Sequence, residues 1–170
     1  EICACLVGSE MCIRDSTWAP EFYHPGNCLY QEFGKGQWNG TGHRIVSTMF
    51  DLDNAPQSNL VMGEVFNQPG RWSSYPPHAH PQPEVYCYYF DKPQGFGAGW
   101  ANGQVHEVHH HGLLVITEGT HPQVMAPGYP CCYTWGIRHL PGDPWKKTRI
   151  DDPAHAWLTD PNAKFWDGEN

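Results

Sequence analysis

The sequence predicts an all-β chain folded as one small antiparallel barrel, and three observations carry that expectation. Apolar and aromatic runs of about four to eight residues are separated by Gly, Pro, Asn and Asp clusters, the punctuation of short strands. Aromatics make up 14% of the chain beside 18 Gly and 16 Pro, a mixture that suits strands and turns better than a helical bundle. Two groups of metal-ligand side chains fall on different strands, where a closed barrel would bring them together. At 170 residues there is room for one domain with a full core and hardly for two.

The elements follow in order. Residues 17–42 are irregular, broken by Pro20, Pro25-Gly26, Gly34, Gly36 and Asn39-Gly40. Asn39-Gly40-Thr41 fits a glycosylation acceptor but reads as a plain turn, since no secretory signal precedes it. Arg44 to Phe50 and Asn59 to Asn67 are strands, the second stopped by Pro69-Gly70. Trp72 to His80 and Glu84 to Phe90 form a hairpin across Pro81-Gln82-Pro83, a segment too proline-rich to continue a ladder. Pro93 to Gly97 is a loop, and Ala98 to Val108 adds one or two strands. His109-His110-His111-Gly112 is an exposed turn before the strand Leu113 to Ile116, because three consecutive histidines cannot share one strand face. After the turn Ala126-Pro127-Gly128-Tyr129, Cys131 to Arg138 is the last long strand, and residues 145–170 wrap the barrel as loops with one helical turn.

A formal net charge of −8 without a Lys/Arg cluster argues against a nucleic-acid partner. No apolar run of about 18 residues predicts a membrane span. The seven Cys show neither a CxxC pair nor regular spacing, which fits a reducing compartment, and the expected location is cytoplasmic. Met11-Cys12-Ile13-Arg14-Asp15-Ser16 resembles a translation of the transposon-end adapter used to build sequencing libraries. Residues 1–16 are therefore expected to be an adapter artefact, disordered and without function, with the gene continuing upstream so that the chain is a fragment.

His78 and His80 sit two apart, which puts both imidazoles on one strand face; Glu84 follows the proline turn, and His121 returns about three strands later. Three nitrogens and one carboxylate oxygen suit a divalent metal with coordination positions left open. Zinc is the first expectation, with manganese, iron or nickel as alternatives. If Glu84 points inward, Tyr86 and Tyr88 do too, and Gln123 shares the face of His121. Arg138, ending an apolar strand, and Arg71, beside the first ligand group, are the two carboxylate-binding candidates. Glu64, a carboxylate amid Val-Met-Gly-Glu-Val-Phe, reads either as a lumen-facing base or as the exposed face of an edge strand.

Gly70-Arg71-Trp72-Ser73-Ser74-Tyr75-Pro76-Pro77-His78-Ala79-His80 resembles the signature of the 5-deoxy-glucuronate isomerases of inositol catabolism. So do Pro93-Gln94-Gly95-Phe96, His121-Pro122 with Ala126-Pro127-Gly128-Tyr129, and Asp152-Pro153-Ala154-His155-Ala156-Trp157. These are members of the cupin superfamily, related to the uronate ketol-isomerases of pectin breakdown. The resemblance implies a double-stranded β-helix, the cupin or jelly-roll barrel. It implies tandem cupins, with residues 17–42 the remnant of a truncated N-terminal cupin and 43–170 the C-terminal metal-binding domain with its wrapping tail. It further implies that His78, His80, Glu84 and His121 bind the metal, and that a sugar acid, 5-deoxy-D-glucuronate, is isomerised to 5-dehydro-2-deoxy-D-gluconate.

In that reading Glu64 or Tyr88 moves the proton, while Arg71, Tyr86, Gln123 and Arg138 hold the substrate. The competing readings are the related uronate ketol-isomerase, an Fe-dependent oxygenase on the same ligands, and a non-catalytic sugar-binding cupin. A homo-oligomer is compatible with all of them.

Overall fold

The computed structural model describes residues 19–166. The expectation for residues 1–16 lies outside them. Two antiparallel sheets face each other. The larger runs β1(Leu29–Phe33)-β2(Arg44–Phe50)-β3(Leu60–Asn67)-β11(Cys131–Arg138)-β6(Glu84–Phe90)-β9(Leu113–Ile116). The smaller runs β4(Trp72–Ser73)-β10(Gln123–Met125)-β7(Phe96–Ala101)-β8(Gln104–His109). A two-stranded ladder joins β5(His78–Ala79) to β12(Ile150–Asp151), and a short 3-10 turn spans Pro153–Thr159. The all-β prediction is borne out. Among the described residues no helix is long and apolar enough to cross a membrane.

The strand period sets which residues meet between the sheets. On β6, Glu84, Tyr86, Tyr88 and Phe90 are buried, while Val85 and Cys87 are half-buried and Tyr89 is exposed. The inward row continues across the sheet through the register pairs Tyr88↔Tyr133↔Val65↔Val46 and Trp135↔Gly63. Met125, Ala101 and Val108 close the core from the smaller sheet. Burial of Tyr88, Tyr133 and Val61 is worth roughly 1.5–3 kcal/mol for each such side chain.

Two expectations are corrected. Residues 17–42 are not irregular throughout, because Leu29–Phe33 pairs with β2 as the edge strand of the larger sheet. All five of its residues are exposed, so no alternating burial pattern marks it. The predicted hairpin of Trp72–His80 with Glu84–Phe90 does not form either. Trp72–Ser73 pairs with β10, His78–Ala79 with β12, and Glu84–Phe90 with β11 and β9. Pro76, Pro77, Pro81 and Pro83 donate nothing to a ladder, so the stretch before Glu84 breaks into two two-residue pieces in two different sheets.

Candidate metal centre

Glu84 opens β6 pointing inward, and its Oε2 stands 3.3 Å from Nε2 of His80 and 3.3 Å from Nε2 of His121. The three donor atoms lie within 4.8 Å of one another. The Pro81-Gln82-Pro83 turn brings His80 back over Glu84, and the Gln82 carbonyl engages His80 Nδ1 at 2.9 Å. His121 precedes β10, with its Nδ1 3.4 Å from the Gly119 carbonyl. Carbonyls on both Nδ1 atoms leave both Nε2 atoms free as ligands, the outer-shell arrangement that fixes the tautomer of a metal-binding imidazole. Two imidazoles and a carboxylate so oriented are compatible with a divalent metal.

His78 lies outside this three-membered group but beside it. Its ring centroid is 4.7 Å from that of His121, and its Nδ1 contacts the Pro76 carbonyl at 3.0 Å. Burial, reinforced by the charge of Arg149, pushes the His78 imidazole down to about 4. Burial also brings His121 down to about 4, against the opposing pull of Glu84. Both rings are therefore neutral and ready to coordinate near neutral pH.

These side chains open onto a cavity of about 320 Å³. Tyr86 lines it, with its hydroxyl 3.0 Å from Ser74 Oγ and donating to Glu84 Oε2 at 3.2 Å. Burial pushes the Tyr86 phenol well above its usual range, so it stays protonated. Trp145, from the wrapping tail, packs its ring 6.3 Å from His80 and closes one wall.

Other predicted site residues lie elsewhere. Glu64 alternates with inward Gly63 and Val65, so it faces outward opposite Ser47 and Thr134, and it is no lumen base. Tyr88 is 0% exposed and donates to Gln123 Oε1 at 2.5 Å, while Gln123 Nε2 donates to the His121 carbonyl at 2.9 Å. Each satisfies the other in the core, and neither lines the cavity. Arg138 follows inward Ile137, so parity turns it to solvent. Arg71 is spent on the Gly40 carbonyl, away from the cavity.

Among the lining residues that sequence reasoning missed are Ser74, Trp145, Arg44 and Arg149. Arg44 had a signal, since it shares strand parity with Val46 and Thr48, which also line the cavity.

Two facing sheets with His and Glu donors converging between them define a cupin barrel. A cupin 2 conserved barrel domain protein from Rhodopseudomonas palustris matches with a TM-score of 0.51 and 14% identity, over 76% of this chain and 85% of that one. The chain belongs to the KduI/IolB family, whose model matches residues 6–158. That match begins inside the stretch read as adapter-derived. An IolB-like protein from Salmonella typhimurium LT2 superposes with a TM-score of 0.73 at 22% identity, over 84% of this chain and 57% of that one. A 5-deoxy-glucuronate isomerase of Bacillus velezensis is 29% identical over 147 residues, 73% of this chain and 53% of its own length. The chain spans about half the length of the curated relatives it matches.

Proposed function

We propose that this chain carries the metal site of a sugar-acid aldose–ketose isomerase, with 5-deoxy-D-glucuronate as substrate and 5-dehydro-2-deoxy-D-gluconate as product. The observation that carries the reading is the convergence of His80, Glu84 and His121 at the wall of an open cavity, in a chain of the KduI/IolB family. Relatives named 5-deoxy-glucuronate isomerase supply the substrate. A tandem arrangement with an N-terminal cupin belongs to the same proposal, supported by the greater length of those relatives.

His80, Glu84 and His121 hold the metal, and His78 is the fourth ligand by its place beside them. A divalent ion there supplies Lewis acidity that polarises a carbonyl and acidifies the neighbouring C–H. Tyr86, kept protonated, offers its hydroxyl to a substrate oxygen and relays a proton through Ser74 or Glu84. Trp145 and Trp135 wall off one side and limit water.

The test follows the 5-deoxy-D-glucuronate resonances by NMR with the zinc-loaded chain. Turnover that disappears with a chelator and in His121→Ala supports the reading. Turnover that survives both, or no turnover by the metal-loaded chain, overturns it.

A further inference from the structure

We infer that Arg44, with Arg149 beside it, forms the carboxylate-binding end of the cavity, so that the site selects an acid over the corresponding uncharged sugar. The inference rests on the sugar-acid reading above. Arg44 is a cation that is only 6% exposed, and among the described residues no carboxylate lies within ion-pair distance of it. A buried charge without an opposite partner is costly and marks a place where a ligand completes the pair. The other cations of the cavity are already matched: Lys147 by Asp51 at 3.0 Å and Asp53 at 2.7 Å, Arg149 by Asp151 at 2.6 Å.

The guanidinium is built into the wall. Arg44 Nη1 donates to the Gly42 carbonyl at 2.9 Å and Nη2 to the Tyr75 carbonyl at 3.0 Å, with Cζ 5.3 Å from the centre of the Phe33 ring. Arg149 Nη2 donates to the next carbonyl, that of Pro76, at 3.2 Å, so two guanidiniums hang from neighbouring peptide groups. The same Pro76 oxygen receives His78 Nδ1 at 3.0 Å, which ties the cationic end to the histidine cluster.

A short run of contacts joins Arg44 to the metal cluster: its Nη2 donates to the Tyr75 carbonyl, the neighbouring Ser74 Oγ lies 3.0 Å from the Tyr86 hydroxyl, and that hydroxyl donates to Glu84 Oε2 at 3.2 Å. Arg44 and the cluster line the same cavity, so an acid seated with its carboxylate at Arg44 turns its other end towards the metal ligands. A guanidinium fork matches a carboxylate bidentately, which a neutral amide does not exploit.

The test measures binding of D-glucuronate and of D-glucuronamide to the zinc-loaded chain by calorimetry at fixed salt. The parent is expected to prefer the acid by about tenfold or more, and Arg44→Gln to bring the ratio close to one. Arg44→Lys should keep an intermediate preference, because an ammonium is a point charge without the fork. An acid preference in Arg44→Gln equal to the parent's overturns the inference. So does a parent that binds neither ligand or binds both equally. If circular dichroism shows Arg44→Gln unfolded, Arg44→Lys decides, and an undiminished ratio there overturns it. Metal retention is measured separately by chelator competition. Loss of metal with a ratio that still follows Arg44 sinks the metal reading alone; retained metal with no Arg44 effect sinks the anchor alone.

Discussion

The Tyr88 hydroxyl donates to Gln123 Oε1 at 2.5 Å, and both residues are fully buried. Gln123 then donates to the His121 carbonyl, so the pair braces the backbone behind the cluster instead of facing the cavity. Tyr88→Phe strands the Gln123 oxygen in the core and is expected to lower stability by about 1–3 kcal/mol. Metal uptake should stay unchanged. Urea unfolding read beside chelator competition checks this, and unchanged stability with lost turnover would instead make Tyr88 part of the chemistry.

The barrel and the convergence of ligands were legible because both follow from strand parity. Glu84, Tyr86 and Tyr88 alternate with exposed or half-buried neighbours as the period of two requires. Arg44–Phe50 and Cys131–Arg138 keep their predicted bounds, and Cys131–Arg138 alternates in the same way. What parity alone does not settle is which inward residue meets the cavity and which meets another side chain. Tyr86 and Tyr88 point the same way, yet one lines the cavity and the other is capped by Gln123. Arg149 was beyond reach because it comes from the tail, placed by the short ladder of Ile150–Asp151 with His78–Ala79. Ordinary strand signals do not mark a two-residue pairing of that kind.

In the metal-free chain, stability should fall as the pH drops from about 6.5 towards 4. Burial holds the His121 imidazole at about 4 in the folded state, against an ordinary value of 6.5. The unfolded chain takes up that proton first, so the stability contributed by neutral His121 is fully present above the unfolded value. It is lost through the window down to the folded one. The share from His121 reaches roughly 3 kcal/mol, and His78 adds in the same direction. Urea midpoints across that range, with chelator present, should fall steeply in the parent and less in His121→Ala. A parent profile no steeper than that of the variant contradicts the assignment.

Gly63 faces inward on β3, where an added Cβ would run into the Ser47 carbonyl oxygen and the Trp135 ring. Backbone cannot yield as a flexible side chain does, so Gly63→Ala should cost about 1–3 kcal/mol. Because Trp135 also lines the cavity, the same change should alter tryptophan fluorescence near the site. Unchanged unfolding and emission would show that the strands adjust freely.

Arg138 is exposed at the end of β11, and Arg71 is bonded to the Gly40 carbonyl. Arg138→Ala is expected to stay within about 0.5 kcal/mol of the parent. Arg71→Ala should lose about 1 kcal/mol with its hydrogen bond. Neither should change the preference for D-glucuronate over its amide. A lost preference in either would return the carboxylate anchor to that residue.

The cluster itself gives the most direct measurement. Glu84 Oε2 lies equally far from two imidazole nitrogens whose other ring nitrogens are held by backbone carbonyls. Removing one such donor should weaken binding beyond the about 10–100-fold typical of outer-shell changes. In the parent, zinc at about one hundred times its dissociation constant should stabilise the fold by about 2.7 kcal/mol through mass action. Glu84→Gln keeps the shape of the side chain and removes the charge, and His121→Ala removes a nitrogen. At the same zinc concentration each should show little of that gain in thermal unfolding. If either variant is stabilised as much as the parent, the ion binds elsewhere and the proposed centre is wrong.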